Sequence, residues 1–472
     1  MTGHAIPACP DAAQERRLAR RLRPPPGRDD GSDVLLELAA EHAAVHQRLE
    51  RLAPSRDPKA LATAFRKTLA GWKRASRFLA YAEARAFGRE LGDWLAQVER
   101  ELLPVDPARA LELVEDFITS DAKWFERADD SGGAVGSAVR AACRLWVRCA
   151  ARCEAPAAQW PERLAQLFDG DDYGAREVLL READALLDEA ALRGLVARYE
   201  AQLDAVLERA HANGERGLPS AVFRVSAALS LLADALHDPD VKVRATLRYS
   251  PQPNELQKEK FALGYLEADR PADALRWLQE PWERHEDTRL SLRAQAMQQL
   301  GRTDEAAVLR QQVFERTLSV GDLRDWLELL PPNRQAPAIE HARTLARACA
   351  DPVTAARLLL ETEDGDGAQA TLVAKAEHVD GGDYTRLVPL AEALEERALW
   401  VGATVVYRAL LAQILARAYS PAYRHAARYW ARLQAITQRA PSLAPLSSQA
   451  MFEAEVRRDH ARKSSFWALV GK

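Results

Sequence analysis

Two adjacent carboxylates, Asp129 and Asp130, stand directly before Ser131, Gly132 and Gly133 in "ERADDSGGAVGSAVRAACRLWVRCAARC", residues 126–153. Paired carboxylates at a glycine-rich helix start suit a hard divalent cation or a basic partner. Their charge repels phosphate, and no Lys-Ser/Thr follows to complete a P-loop. Used as metal ligands, Asp129 and Asp130 would make the chain a metal-dependent hydrolase or nuclease. The simpler reading is a helix start: acids at the positive end of the dipole, glycines for the turn, and Val135, Val139, Ala142, Cys143, Trp146, Val147 and Ala150 as the buried face.

Other groups capable of chemistry are weaker still. Cys143, Cys149 and Cys153 share that helix but lack the C-x2-C turn of a zinc site, so they read as small buried hydrophobes. His42 and His46 in "EHAAVH" lie one helical turn apart, yet Glu41 precedes the first histidine, whereas a zincin needs the glutamate between them. "FDGDDYGAREVLL" (168–180) is acidic but lacks the alternating ligands and closing glutamate of an EF-hand, which leaves a capped turn into a helix. No nucleophile elbow, dinucleotide-binding glycine pattern or kinase signature occurs. No cofactor is expected, and the chain reads as no enzyme. At the end of the sequence, "RRDHARKSSFWALVGK" sets Arg457, Arg458, His460, Arg462 and Lys463 beside Phe466 and Trp467. Cations beside aromatics suit single-stranded nucleic acid; the alternative is a last helix whose aromatic end docks while the cations snorkel.

The elements that must position these groups are helical. The 472 residues are 47% hydrophobic and 28% charged, dominated by Ala, Leu, Arg and Glu, with few β-branched runs. The formal net charge of −4 gives no whole-chain attraction to nucleic acid or to an anionic membrane. No stretch of about 18 residues is apolar enough to span a bilayer, and no apolar signal core opens the sequence. A cytoplasmic protein with reduced cysteines is the expectation.

Residues 1–33 read as a disordered basic, proline-rich tail, with six arginines between Arg16 and Arg28 around Pro24–Pro26. Residues 34–245 read as an irregular helical domain. Helices are expected from Asp33 through "SDVLLELAAEHAAVHQRLERL" (32–52), on through 60–103, and around 107–127, 134–153, 158–168, 173–185, 189–212 and 219–236. "DVKVRATLRYSP" (240–251) is the best strand candidate.

Residues 246–472 show a period of 32. Ala262, Tyr265, Asp269 and Ala274 are followed in phase by Ala294, Met297, Gly301 and Ala306, then by Trp326, Leu329, Asn333 and Ala338, then by Leu358, Glu361, Gly365 and Ala370. Each unit reads as helix, turn and helix, the grammar of tetratricopeptide-like hairpins. "ALEERALWVGATVVYRALLAQILARAYSPAYRHAARYWARLQAI" follows as a capping segment.

"DDSGGAVGSAVRAAC", "DDYGAREVLL", "LGRTDEAAVLR", "YRALLAQILARAYSPAYRHAARYW" and "HARKSSFW", in that order, resemble an uncharacterised bacterial helical family of unknown function. The resemblance implies a tetratricopeptide-like fold and no assigned reaction. The C-terminal half is also similar to the helical region of proteins that carry a SWIM-type zinc finger, whose Cys-x-Cys and Cys-x-His pairs are missing here.

These observations give an all-α chain: an irregular N-terminal helical domain followed by a tetratricopeptide-like α-solenoid. The expected function is a non-catalytic scaffold for protein–protein interaction. Arg276, Trp277, Trp282, Arg462, Lys463 and Trp467 are the candidate partner-binding residues, since Trp and Arg are frequent interface anchors. Nucleic-acid association through the basic termini is the second reading.

Overall fold

The computed structural model describes residues 57–214, 217–440 and 442–471. The expected tail, the helix from Asp33, and the His42–His46 pair lie outside these residues. Among the described residues there are 23 α-helices and no strand. They divide into two compact units, the chain passing from one to the other between Pro253 and Asn254.

The first unit contains α1 (Pro58–Arg74), α2 (Tyr81–Gln97), α3 (Pro107–Ile118), α4 (Asp121–Glu126), α5 (Ala134–Ala151), α6 (Trp160–Asp169), α7 (Val178–Arg181), α8 (Glu189–Ala212), α9 (Ser220–Leu236) and α10 (Pro239–Tyr249). Several starts are written in the sequence as Asp-Pro. Asp57, Asp106 and Asp238 accept hydrogen bonds from amides of the helices they precede, and the following proline fills the first helical position, where no N–H is required. This explains why 240–251 is no strand: Asp238 and Pro239 start a helix there, and Val241, Val243 and Ala245 are among its buried residues. Only Val178–Arg181 of the expected 173–185 helix is α-helical, because the segment before it is a turn organised by Asp171.

Helix α5 packs on α2 and α3, and its apolar stripe is buried as expected. Gly88 permits the approach to α2, since a Cβ there would lie 2.7 Å from the backbone of Ala134. Around it sits an aromatic core in which Trp94 stacks on Phe117 at 5.7 Å and Phe117 meets Trp124 at 5.6 Å.

The second unit runs through α11 (Glu255–Glu267), α12 (Pro271–Trp277), α13 (Glu286–Gln299), α14 (Thr303–Thr317), α15 (Val320–Glu328), α16 (Pro332–Ala348), α17 (Pro352–Glu361), α18 (Gly365–Ala374), α19 (Tyr384–Glu396), α20 (Trp400–Arg417), α21 (Tyr423–Arg439), α22 (Gln449–Asp459) and α23 (Ser464–Val470). Successive helices pair as hairpins and pack on their neighbours, consistent with an α-solenoid. Four hairpins turn through one device. Asp269, Gly301, Glu363 and Ala398 adopt left-handed φ of 54°, 72°, 60° and 58°. In each, the next amide donates to a carbonyl five residues back: Arg270 to Tyr265, Arg302 to Met297, Asp364 to Leu359, and Leu399 to Leu394. These are Schellman closures of the first helix. Five residues after each left-handed residue comes a fully buried alanine: Ala274, Ala306, Ala368 and Ala403. Seven residues before it comes another: Ala262, Ala294, Ala356 and Ala391. Two methyl groups let the helix pair approach closely.

The expected register holds for the first two hairpins and changes after them. In the third, Trp326 and Ala338 are buried, but Asn333 lies inside α16, which Pro332 starts directly after the extended Pro331. In the fourth, the turn residue is Glu363 and the crossing alanine is Ala368, two residues before the expected Gly365 and Ala370. Gly365 is instead the first residue of α18, whose cap Asp364 accepts from the amide of Gly367, and Ala370 is exposed.

Candidate functional site

Asp129 and Asp130 are committed to the backbone. The two oxygens of Asp130 accept from the amides of Val135 and Gly136, each at 2.8 Å, and Gly133, with φ of 69°, turns the chain into α5. Asp129 accepts from the amide of Ser131 at 3.2 Å and its hydroxyl at 2.7 Å, which pulls its carboxyl below the ordinary range. Among the described residues no three His, Cys, Asp or Glu side chains converge as a metal set.

The second acidic motif also builds structure. Asp171 accepts from the amides of Tyr173, Gly174, Ala175 and Arg176, with Gly174 left-handed at φ of 71°. That turn delivers Arg176 into the core. Its guanidinium meets Asp121 through two bonds of 2.8 and 2.6 Å and donates to the carbonyls of Leu167 and Ile118, so a fully buried ion pair is satisfied on both sides. Nearby, burial pushes the Cys143 thiol up and that of Cys149 up to about 12. These thiols stay protonated at neutral pH, which suits packing and not nucleophilic attack.

The candidate anchors on α12 separate. Arg276 is exposed and pairs with Asp273 at 3.3 Å. Trp277 is half-buried, with its ring edge-on to Phe261 at 4.9 Å. Trp282 is 4% exposed and belongs to the core, which corrects its reading as a surface anchor. Its segment is tied inward. Glu286 accepts from the amide of Trp282 and from the buried guanidinium of Arg289, while Glu255 accepts from the consecutive amides of Glu283, Arg284 and His285. A turn with no helical period hid this burial from the sequence.

Of the C-terminal candidates, Arg462 is exposed and Lys463 half-buried. Trp467 packs edge-on against Trp430 at 5.5 Å, donates its Nε1–H to the carbonyl of His460 at 2.9 Å, and carries the Arg457 guanidinium 4.8 Å above its ring. Arg458 pairs with Asp459 at 2.8 Å. The aromatic end therefore docks, and two of the basic residues are engaged within the chain.

One site was not anticipated. A cleft of about 710 Å³ opens where the start of α19, the end of α20 and the start of α21 converge. Leu410 and Tyr429 are buried at its base, Ile414 forms a wall, and Tyr384 and Tyr419 are exposed at its edge. Arg417 and His425 are its charged and titratable lining residues. Beside it Gly381 lies against α20 so closely that a Cβ would fall 2.1 Å from the carbonyl oxygen of Ala409. A sequence signal existed: between Glu396 and Glu453 there is no acidic residue, while Arg397, Arg408, Arg417, Arg424, Arg428, Arg432 and Arg439 all fall there. In a chain of net charge −4, that asymmetry is local.

The model of a family of unknown function, DUF6880, matches residues 27–469. No curated protein and no solved structure matches the chain. No helix among the described residues is long and apolar enough to cross a membrane.

Proposed function

We propose that this chain, which belongs to the DUF6880 family of unknown function, is a non-catalytic helical scaffold that binds a protein partner through its second unit. The observation that carries the reading is the succession of hairpins closed by paired buried alanines, from Ala262 with Ala274 to Ala391 with Ala403. Small residues at these four crossings let each helix pair pack closely, which suits hairpins that stack. Stacked hairpins of this kind commonly hold peptides or partner helices. An exposed apolar side chain, Val308, lies on α14, and another, Leu300, lies in the turn before it. The groups with catalytic potential support the same reading, since Asp130, Asp171, Arg176 and Cys143 are all spent on folding.

The test is capture from a lysate of the source cells followed by cross-linking and mass spectrometry. Saturable cross-links to residues 255–374 are expected. Arg276→Glu and Val308→Glu, both on exposed side chains, should reduce capture with unchanged thermal unfolding. Trp277→Ala is unsuitable for this purpose because its ring packs on Phe261. Cross-links confined to residues 57–253, or capture indifferent to both variants, would overturn the proposal.

A further inference from the structure

We propose that the cleft between α19, α20 and α21 is a binding site for a small amphipathic organic anion, with an aromatic or alkyl body and a carboxylate, sulfonate or phosphate head. The inference goes beyond the scaffold reading and does not depend on it.

The volume, about 710 Å³, lies within the range of about 300–1,000 Å³ typical of small-molecule sites. The body of the ligand is set by the walls. Leu410, Ile414 and the rings of Tyr384, Tyr419 and Tyr429 offer apolar and aromatic surface, with the base closed by the buried Leu410 and Tyr429. A closed base of this size suits a compact molecule better than a continuous polynucleotide strand.

The charge of the ligand is set by what the protein leaves unbalanced. Several arginines earlier in the unit are paired: Arg302 with Glu305, Arg324 with Glu361, Arg347 with Asp364 and Arg386 with Asp351. Arg417, which lines the cleft, and Arg424 and Arg428, which flank its His425, have no carboxylate within ion-pair distance among the described residues. Arg424 and Arg428 converge on the two ring nitrogens of His425 at 3.4 and 3.3 Å. That imidazole is held below its ordinary pKa by burial, then by Arg428 and Arg424, so the local field is positive. The acids flanking Gly381 and Gly382 in the chain are engaged: Asp380 accepts from the amide of Gly382, and Asp383 caps α19 and pairs with Arg386. An anionic head at the mouth completes the charge, while the body occupies the apolar interior.

Two dyes with the same anilinonaphthalene body separate the contributions. The full chain is titrated by fluorescence with 8-anilinonaphthalene-1-sulfonate and with neutral N-phenyl-1-naphthylamine. One saturating site for the sulfonate is expected, with the neutral dye weaker by about tenfold, the scale of one hydrogen bond to a charged group. Arg417→Ala and Tyr419→Ala, both at exposed positions, should each weaken the sulfonate by about tenfold with unchanged thermal unfolding, the first by removing a charged hydrogen bond and the second an aromatic contact. Arg397→Ala, in the same acid-free stretch but outside the cleft lining, should leave it unchanged. Equal affinity for the two dyes, non-saturating binding, or indifference to both cleft variants would overturn the proposal. So would displacement of the dye by oligo(dT) with equal sensitivity to Arg397→Ala, which would identify a polynucleotide-binding face instead.

Discussion

The first unit fixes its fold through polar side chains that act far along the sequence, whereas the second repeats a short-range backbone device. Arg176 joins a turn at 171–175 to Asp121 on α4 and to the carbonyl of Ile118 at the end of α3. Trp146 and Arg163 both donate to Glu115, which connects α5 and α6 to α3. Each of these contacts occurs once. In the second unit the left-handed residue, the five-back amide bond and the two alanines recur in four hairpins, and ion pairs between helices lie mostly at the surface. Exposed pairs of that kind contribute at most about 1 kcal/mol each. A unit built from unique contacts concentrates its vulnerability, and one built from recurring local contacts spreads it.

The sharpest way to break this contrast is Arg176→Ala. It strands the buried Asp121 carboxylate and should cost about 3–5 kcal/mol, read by chemical denaturation. A loss under 1 kcal/mol would mean that the buried pair is not the point of concentration. The second unit is probed by the pair Ala368→Leu and Ala370→Leu. The first overpacks a helix crossing and should cost about 1–3 kcal/mol. The second places the same side chain on an exposed surface and should change stability by no more than about 0.5 kcal/mol. The reverse order would restore the register expected from the sequence. Gly301→Ala, at φ of 72°, should cost about 1 kcal/mol in the same assay.

The smallest effect concerns acid. Burial raises the pKa of Asp351, but hydrogen bonds from Thr354, Arg386 and the amide of Val353 outweigh it and hold the carboxyl at about 2. A depressed folded pKa contributes stability above the unfolded value near 3.8, and that contribution is lost as pH falls from about 4 toward 2. The protection factors of the amides across α17, referred to their intrinsic exchange rates at each pH, should fall in that window, and Asp351→Asn should flatten the dependence.

The sequence made the helical class and the first two hairpins readable because those signals are local; the Asp238-Pro239 start, equally local, was passed over for the β-branched residues that follow it. Asp269 and Gly301 are residue types suited to a left-handed turn, and Ala274 and Ala306 stand in phase with them. The later hairpins were harder to read for a physical reason. Glu363 and Ala398 occupy left-handed positions without the usual glycine or asparagine, so Gly365 drew the register two residues late and the hairpin of Ala391, Ala398 and Ala403 was absorbed into the capping segment. Trp282 read as an anchor because its burial depends on Glu286 and Arg289 folding an aperiodic turn inward. The cleft at Arg417 and His425 was missed because its signal is the absence of acid over a long stretch, which no short motif carries.

The grip of Glu255 on the amides of Glu283, Arg284 and His285 has a mechanical meaning. The chain enters the first hairpin at residue 255 and is held again at 283–285, so tension on the segment before Glu255 passes directly across this carboxylate and bypasses α11 and α12. The hairpin is then stored length, shielded from load until the grip fails. Its release would pay out roughly 100 Å of extended chain in one step.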